Sequence, residues 1–172
     1  FHPKLNTFFE RIKQYSPWLD SYSLKIDSSN SFPHSSGIAS SASAMAALSL
    51  CIMDMEKELF PEFESELFIK KASFLARLGS GSASRSIEGP VTFWGKNSSR
   101  KESSDLFATP FGQNLHNVFK DYQDTILLVD KGSKPVSSTQ GHQLMFDHPY
   151  ATSRFIQAEQ NLNTLASIME TG

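Results

Sequence analysis

Leu5, Phe8, Phe9 and Ile12 recur at i, i+3, i+4 and i+7, which stacks apolar side chains on one helical face, and Pro17 sets a limit to that helix. Tyr22, Leu24 and Ile26 then alternate with Ser23, Lys25 and Asp27, a period of two that predicts a half-buried strand. The stretch SSNSFPHSSG follows as a turn-rich loop punctuated by Pro33 and Gly37. From Ala39 to about Leu59 every residue is compatible with helix. Its first turns are small (Ala39, Ser40, Ser41, Ala42, Ser43, Ala44), so another backbone or a ligand can come close. A second helix is predicted from about Glu64 to Leu78, with Phe68, Ala72 and Leu75 on one face.

The second half is less regular. Val91 and Phe93 alternate in a short strand, and GKNSSRKESSD reads as a solvated loop despite its three cations. In FGQNLHNVFKDY, Phe111, Leu115 and Val118 have helical spacing, although no long helix is evident there. DTILLVDKG is a continuous apolar run of the kind found in a strand covered on both faces. The last element is a long helix with a predicted seam of Ala151, Phe155, Ala158, Leu162, Leu165 and Met169. The pattern is α+β, helices packed on a small, mostly antiparallel sheet, with no internal repeat. Both ends fall on helices without a partner strand, so the expectation is a piece of something longer.

Composition narrows the function classes. A chain of 172 residues accommodates one domain, or one with part of a second. Its net charge of −2 gives no electrostatic basis for nucleic-acid binding. One cysteine, Cys51, excludes an intrachain disulfide framework and fits a reducing compartment; its apolar helix predicts a buried, inert thiol. No secretory signal is visible. The longest apolar stretch, Ile38 to Met53, is interrupted by four serines and is too short to span a bilayer, so a soluble cytoplasmic protein with no membrane partner is expected. Met45, Met53, Met55, Phe60 and Phe63 read as packing, and Trp18 and Trp94 as core or rim residues. His142 and His148 are six apart, which is not the three or four of a helical metal pair.

Two loops carry candidate chemistry. SSGIASSASA (Ser35 to Ala44) and GSGSASRS (Gly79 to Ser86) both combine glycine, which permits close backbone approach, with hydroxyl donors beside free amides. Where a helix follows, its unpaired N–H groups and positive dipole end favour phosphate oxygens. The dipole contributes about 0.3–1 kcal/mol at exposed sites, and each hydrogen bond to a charged group about 1.5–3 kcal/mol. The competing reading is plain: serines at helix starts serve as caps, and a Gly-Ser loop can be only a loop. Arg85, at the end of the second loop, adds a fork that pairs bidentately with carboxylate or phosphate. Spacing alone does not choose between these readings.

FPHSSGIASSASAMAAL resembles the second signature of the GHMP small-molecule kinases, in which a proline, a glycine and a serine pair open a helix over ATP phosphates. ARLGSGSASRS is similar to the diphosphate-binding loop of the diphosphomevalonate decarboxylases within that superfamily, and SKPVSSTQGHQLM (Ser133 to Met145) matches a third segment of the same enzymes. The resemblance runs in order across nearly the whole chain. It implies a GHMP-kinase-like two-domain fold, here incomplete, with residues 1–133 in the N-terminal ATP and substrate domain and 134–172 opening the C-terminal domain.

The implied activity is ATP-dependent decarboxylation of mevalonate 5-diphosphate to isopentenyl diphosphate, with Mg2+ carried mainly by ATP. By the resemblance, Ser80, Gly81, Ser82, Ala83, Ser84 and Arg85 hold the substrate, with Arg85 on its carboxylate. Ser138 and Thr139 reach the same substrate, and Lys134 the phosphate-rich centre. Ser41 contacts ATP phosphate and its Mg2+, with Ser36, Gly37 and Ser40 in support. The family's propensity to pair extends to a homodimer here.

Some family features are absent. The lysine- and tryptophan-containing N-terminal signature is expected before residue 1, and FWGK (Phe93 to Lys96) does not take its place. The catalytic aspartate is expected beyond the last residue, since Asp121, Asp124, Asp130 and Asp147 do not stand in its motif. The chain by itself is therefore expected to be inactive. A family Gly-Gly stands here as Gly89-Pro90, which removes an N–H. Two rivals remain open at this level: a related GHMP kinase that does not decarboxylate, and a non-catalytic phosphate-binding scaffold.

Overall fold

A computed structural model describes residues 2–32, 38–62, 65–112, 114–127 and 138–172. Helix α1 spans His2–Ile12 and buries Phe8 and Ile12, with Leu5 and Phe9 packed beside them, on the face the spacing predicts. Its last turn is tied to the next layer, because the Arg11 guanidinium donates to the carbonyl of Leu78 at 2.8 Å. A 3₁₀ turn, Pro17–Ser21, follows with proline at its start, where a missing N–H costs nothing.

Helices α2 (Ser40–Leu59) and α3 (Ser65–Gly79) form the centre. On α2, Met45, Ser49, Ile52, Met53 and Glu56 lie on one buried stripe, at helical spacing. On α3, Ala72, Leu75 and Ala76 are fully enclosed. Each large apolar side chain so buried is worth about 1.5–3 kcal/mol. The two helices run antiparallel: Glu56, late in α2, pairs with Lys71, early in α3, while Ser41, at the start of α2, meets Ser80, just past α3.

Glu56 is nearly inaccessible and saturated with donors. Its Oε2 accepts from the Ser16 hydroxyl at 2.9 Å and from the Trp18 indole at 3.1 Å; its Oε1 takes the Lys71 ammonium. The carboxylate thus locks the Pro17–Ser21 turn and both central helices together.

After α3 a 3₁₀ turn, Gly81–Ser86, leads to strand β1 (Thr92–Phe93), which pairs antiparallel with β2 (Thr109–Pro110) in the register Thr92 with Pro110 and Phe93 with Thr109. A second, smaller core lies behind this ribbon, where Phe93, Phe111 and Leu115 meet Ala166 of α5 (Ala151–Thr171), flanked by Val91, Leu162 and Met169. A short 3₁₀ turn, Asn117–Phe119, and helix α4 (Ser138–Gln143) complete the described elements. The mixture of helices with a two-stranded antiparallel sheet is compatible with the expected α+β class.

Several expectations need correction. Residues 22–30 are without regular structure, and Tyr22 and Ile26 are exposed. Alternation marks which face a strand can bury, but a ladder also needs an edge to pair with, and none among the described residues supplies it. For the same reason 122–127 is not a strand, and Leu127 is 84% exposed; 128–130 lie outside the described residues. The seam of α5 holds at Leu162 and Met169, but Phe155 and Leu165 are exposed and Ala166 is the buried contact. Val118, Met55, Phe60 and Cys51 are likewise exposed rather than packed, while Phe63 lies outside the described residues.

GKNSSRKESSD is not simply a solvated loop. Asn97 is buried and donates to Asn163 of α5 at 2.9 Å, and accepts from the Ser99 amide. The Arg100 guanidinium lies 4.4 Å from the centre of the Phe111 ring and donates to Glu170 at 2.7 Å, fastening α5 to the ribbon. Polar residues are buried here because each finds a partner, which composition cannot disclose.

Candidate functional site

The start of α2 and the end of α3 converge, and their convergence brings the two serine-rich loops into contact. The hydroxyl oxygens of Ser41 and Ser80 are 3.5 Å apart although the residues are 39 positions apart in sequence. Both are half-buried. Small residues make the approach feasible. Gly79 is packed so tightly that a Cβ there would fall 2.5 Å from the Met45 sulfur and 2.9 Å from a Phe8 ring carbon.

Neither hydroxyl makes a capping bond from an N-cap position. Residue 39, an alanine held in the left-handed region at φ 59°, occupies the N-cap of α2 and has no side-chain group to cap with. Ser80 occupies the cap of the Gly81–Ser86 turn, yet its hydroxyl makes no capping bond. The Ala39 backbone costs about 1–2 kcal/mol relative to an ordinary conformation. Strain of this kind is commonly kept where function requires it.

The backbone of the second loop divides cleanly. Ser80 donates its amide to Ala76 and accepts from the Ala83 amide at 2.8 Å, so both of its backbone groups are used. The Gly81 and Ser82 amides open the turn and have no acceptor among the described residues, as expected for the first amides of any helical turn. Behind them the loop is built into the protein. Ala83 and Ser84 are fully buried, Ser84 donates its hydroxyl to the Gly81 carbonyl, and Ser73 of α3 donates to the Ser84 carbonyl at 2.9 Å. Arg85 is exposed, and its guanidinium has no ion-pair or hydrogen-bond partner among the described residues.

The meeting of the loops presents the Ser41 and Ser80 hydroxyls beside the exposed Gly81 and the half-buried Ser82, and the same short turn carries the Arg85 guanidinium. These are neutral and cationic donors with no carboxylate bonded to them among the described residues, which suits an anion. Ser40 lies buried beside Ser41. Of the other residues singled out in the sequence, Ser36, Gly37 and Lys134 lie outside the described residues. Ser138 and Thr139 open α4, though their side chains are likewise outside them.

Spacing gave no role to Trp94 beyond burial. Its ring carbon Cη2 lies 3.4 Å from where a Cβ of Gly81 would be, and its indole N–H donates to the Asp105 carbonyl at 3.2 Å. Two positions earlier, the Thr92 hydroxyl donates to the Arg85 carbonyl at 3.2 Å. The available signal was the alternation itself, since a strand that sends Phe93 into one core must turn Thr92 and Trp94 to the opposite face.

Comparisons with known proteins supply the family. A family model described as the diphosphomevalonate decarboxylase-like N-terminal domain matches residues 1–105, which include both loops that meet at Ser41 and Ser80. A diphosphomevalonate decarboxylase of Gibberella zeae is 38% identical over 134 residues, covering 78% of this chain and 32% of the relative. The Saccharomyces cerevisiae enzyme of the same name is 35% identical over 128 residues, 74% of this chain and 30% of its own length. The Bos taurus enzyme is 29% identical over 154 residues, 83% and 35% respectively. The chain thus spans about a third of the length of these curated relatives. No solved structure matches it. The model matching residues 1–105 and the agreement with several relatives place this chain in the diphosphomevalonate decarboxylase family.

Proposed function

We propose that the chain supplies the substrate and phosphate cradle of an enzyme that decarboxylates mevalonate 5-diphosphate with consumption of ATP, yielding isopentenyl diphosphate, carbon dioxide, ADP and phosphate. The observation that carries this reading is the meeting of Ser41 and Ser80 beside the open amides of Gly81 and Ser82. Two loops that each suit phosphate oxygens are adjacent, as transfer between two phosphorylated molecules requires.

In this reading the Ser80 and Ser82 hydroxyls and the Gly81 and Ser82 amides bind the substrate diphosphate. Ala83 and Ser84 act from beneath by fixing the turn. Arg85, without a carboxylate partner among the described residues, orients the carboxylate that leaves as carbon dioxide. Ser41, supported by Ser40, Ser36 and Gly37, faces the ATP phosphates, and Ser138, Thr139 and Lys134 complete the substrate side. The donor set fits ATP and its Mg2+: when bound, the ion neutralises charge on the transferring phosphoryl group, and it draws its ligands mostly from phosphate and water. Phosphoryl transfer asks the protein chiefly for positioning and charge stabilisation, which rigidly held hydroxyls and amides supply. We place residues 1–133 in the ATP and substrate domain and 134–172 at the opening of a second, GHMP-like one.

The test is a product assay on the protein from the complete reading frame, whatever its length, with ATP, Mg2+ and mevalonate 5-diphosphate. Release of carbon dioxide and phosphate in step is the expected result. Phosphorylated substrate accumulating without carbon dioxide would instead identify a kinase, and binding of neither ligand a scaffold.

A further inference from the structure

The loop is braced at both ends from one short segment. Thr92, in β1, and Trp94, just past its end, are two positions apart, roughly 7 Å along the chain. Thr92 holds the Arg85 end through the carbonyl, and at the other end Trp94 Cη2 lies 3.4 Å from where a Cβ of Gly81 would stand. Trp94 cannot swing freely. Its indole nitrogen is fixed to the Asp105 carbonyl, the Gly95 amide donates to Ser104, and the Lys96 amide donates to the Asp105 carboxylate at 2.7 Å. The 105–106 segment is itself tied to α3, because Arg77 donates to the Leu106 carbonyl at 3.1 Å.

We propose that Thr92 and Trp94 are positioning residues that set the separation between the amide end of the loop and Arg85. They would thereby select, by length, ligands that carry a diphosphate at one end and a carboxylate at the other. The inference rests on the functional reading above and adds a specificity determinant to it. Neither residue touches the ligand: Trp94 acts through Gly81 and Thr92 through the Arg85 backbone.

The two contacts make separable predictions. Trp94→Ala removes the support under the amides, so binding of inorganic diphosphate and of mevalonate 5-diphosphate both weaken, by roughly tenfold or more. Thr92→Val removes one hydrogen bond at the Arg85 end; it leaves inorganic diphosphate nearly unchanged but weakens mevalonate 5-diphosphate roughly three- to tenfold. Trp94→Phe leaves a ring too short to reach Gly81, so it weakens both probes in the same direction as Trp94→Ala, by less. Calorimetric titration of both probes into the protein and these variants reads the pattern. Equal weakening of both probes by Thr92→Val, or none by Trp94→Ala, overturns the proposal while leaving the site reading intact. Failure of the unaltered protein to bind either probe overturns the site reading, and the proposal with it. If Trp94→Ala does not fold, tryptophan emission decides: inorganic diphosphate must perturb the unaltered protein and not Trp94→Phe, and the absence of that difference refutes the brace.

Discussion

Replacing Glu56 by glutamine tests how the two halves of the site are held together. The carboxylate is about 6% exposed and carries three donors: Ser16, Trp18 and Lys71. Burial pushes its pKa up, but the Lys71 ammonium and the two neutral donors outweigh that, and the net displacement is downward from the ordinary glutamate value. A depressed folded-state pKa means that the stabilisation is fully present above the unfolded value near 4.5 and is lost as pH falls below it, through the folded value. Glu56→Gln keeps the shape but removes the negative charge that Lys71 faces across the helices and offers one acceptor oxygen where two were used. Breaking a buried pair from one side costs about 3–5 kcal/mol, and the partial exposure of Lys71 argues for the lower end. Against a typical stability of about 5–15 kcal/mol the loss is large. Urea unfolding at pH 7 should show a midpoint shift of that size, and the difference between the two proteins should shrink as the pH is lowered from 5 to 3. A difference that stays constant over that range would refute the assignment of the stabilisation to an ionised Glu56. Because the same pair fixes α2 against α3, loosened packing should also separate Ser41 from Ser80 and weaken ATP binding.

The remaining predictions concern single positions. Ser49 is fully buried and its hydroxyl has no partner among the described residues, so Ser49→Ala should stabilise the fold by about 1 kcal/mol in the same urea assay. Gly79→Ala should destabilise it by about 1–2 kcal/mol, since overpacking against Met45 and Phe8 exceeds the gain in helix propensity; a raised midpoint would show that Met45 moves aside at little cost. Arg85→Ala and Ser82→Ala should each weaken binding of mevalonate 5-diphosphate roughly ten- to a hundredfold, the worth of one charge-assisted hydrogen bond, without lowering the urea midpoint, because neither side chain is enclosed.

The helices were legible because each writes its buried face into the sequence at a spacing that local geometry alone imposes: Phe8 and Ile12, then Met45 to Met53, then Ala72 and Leu75. The run from Gly79 to Arg85 stood out in the sequence for its glycines, hydroxyls and guanidinium, but spacing left its role open. Pairings between distant segments were not. Tyr22 to Ile26 alternates correctly yet meets no partner among the described residues, and the Glu56 cluster joins positions 16, 18, 56 and 71 with no periodic trace. Trp94 shows the same limit, for nothing in its neighbours' identities announces that the tip of its indole reaches Gly81. Buried Asn97 inside a run of serines and cations was hidden by composition, which registers polarity but not satisfaction.

The most direct test of the anion cradle is a nitrogen–proton correlation spectrum of the protein titrated with inorganic diphosphate. The Gly81 and Ser82 amide protons should move downfield in saturable fashion, while the Ala83 amide, already bonded to the Ser80 carbonyl, moves little. Unmoved Gly81 and Ser82 resonances at saturating diphosphate would contradict the account.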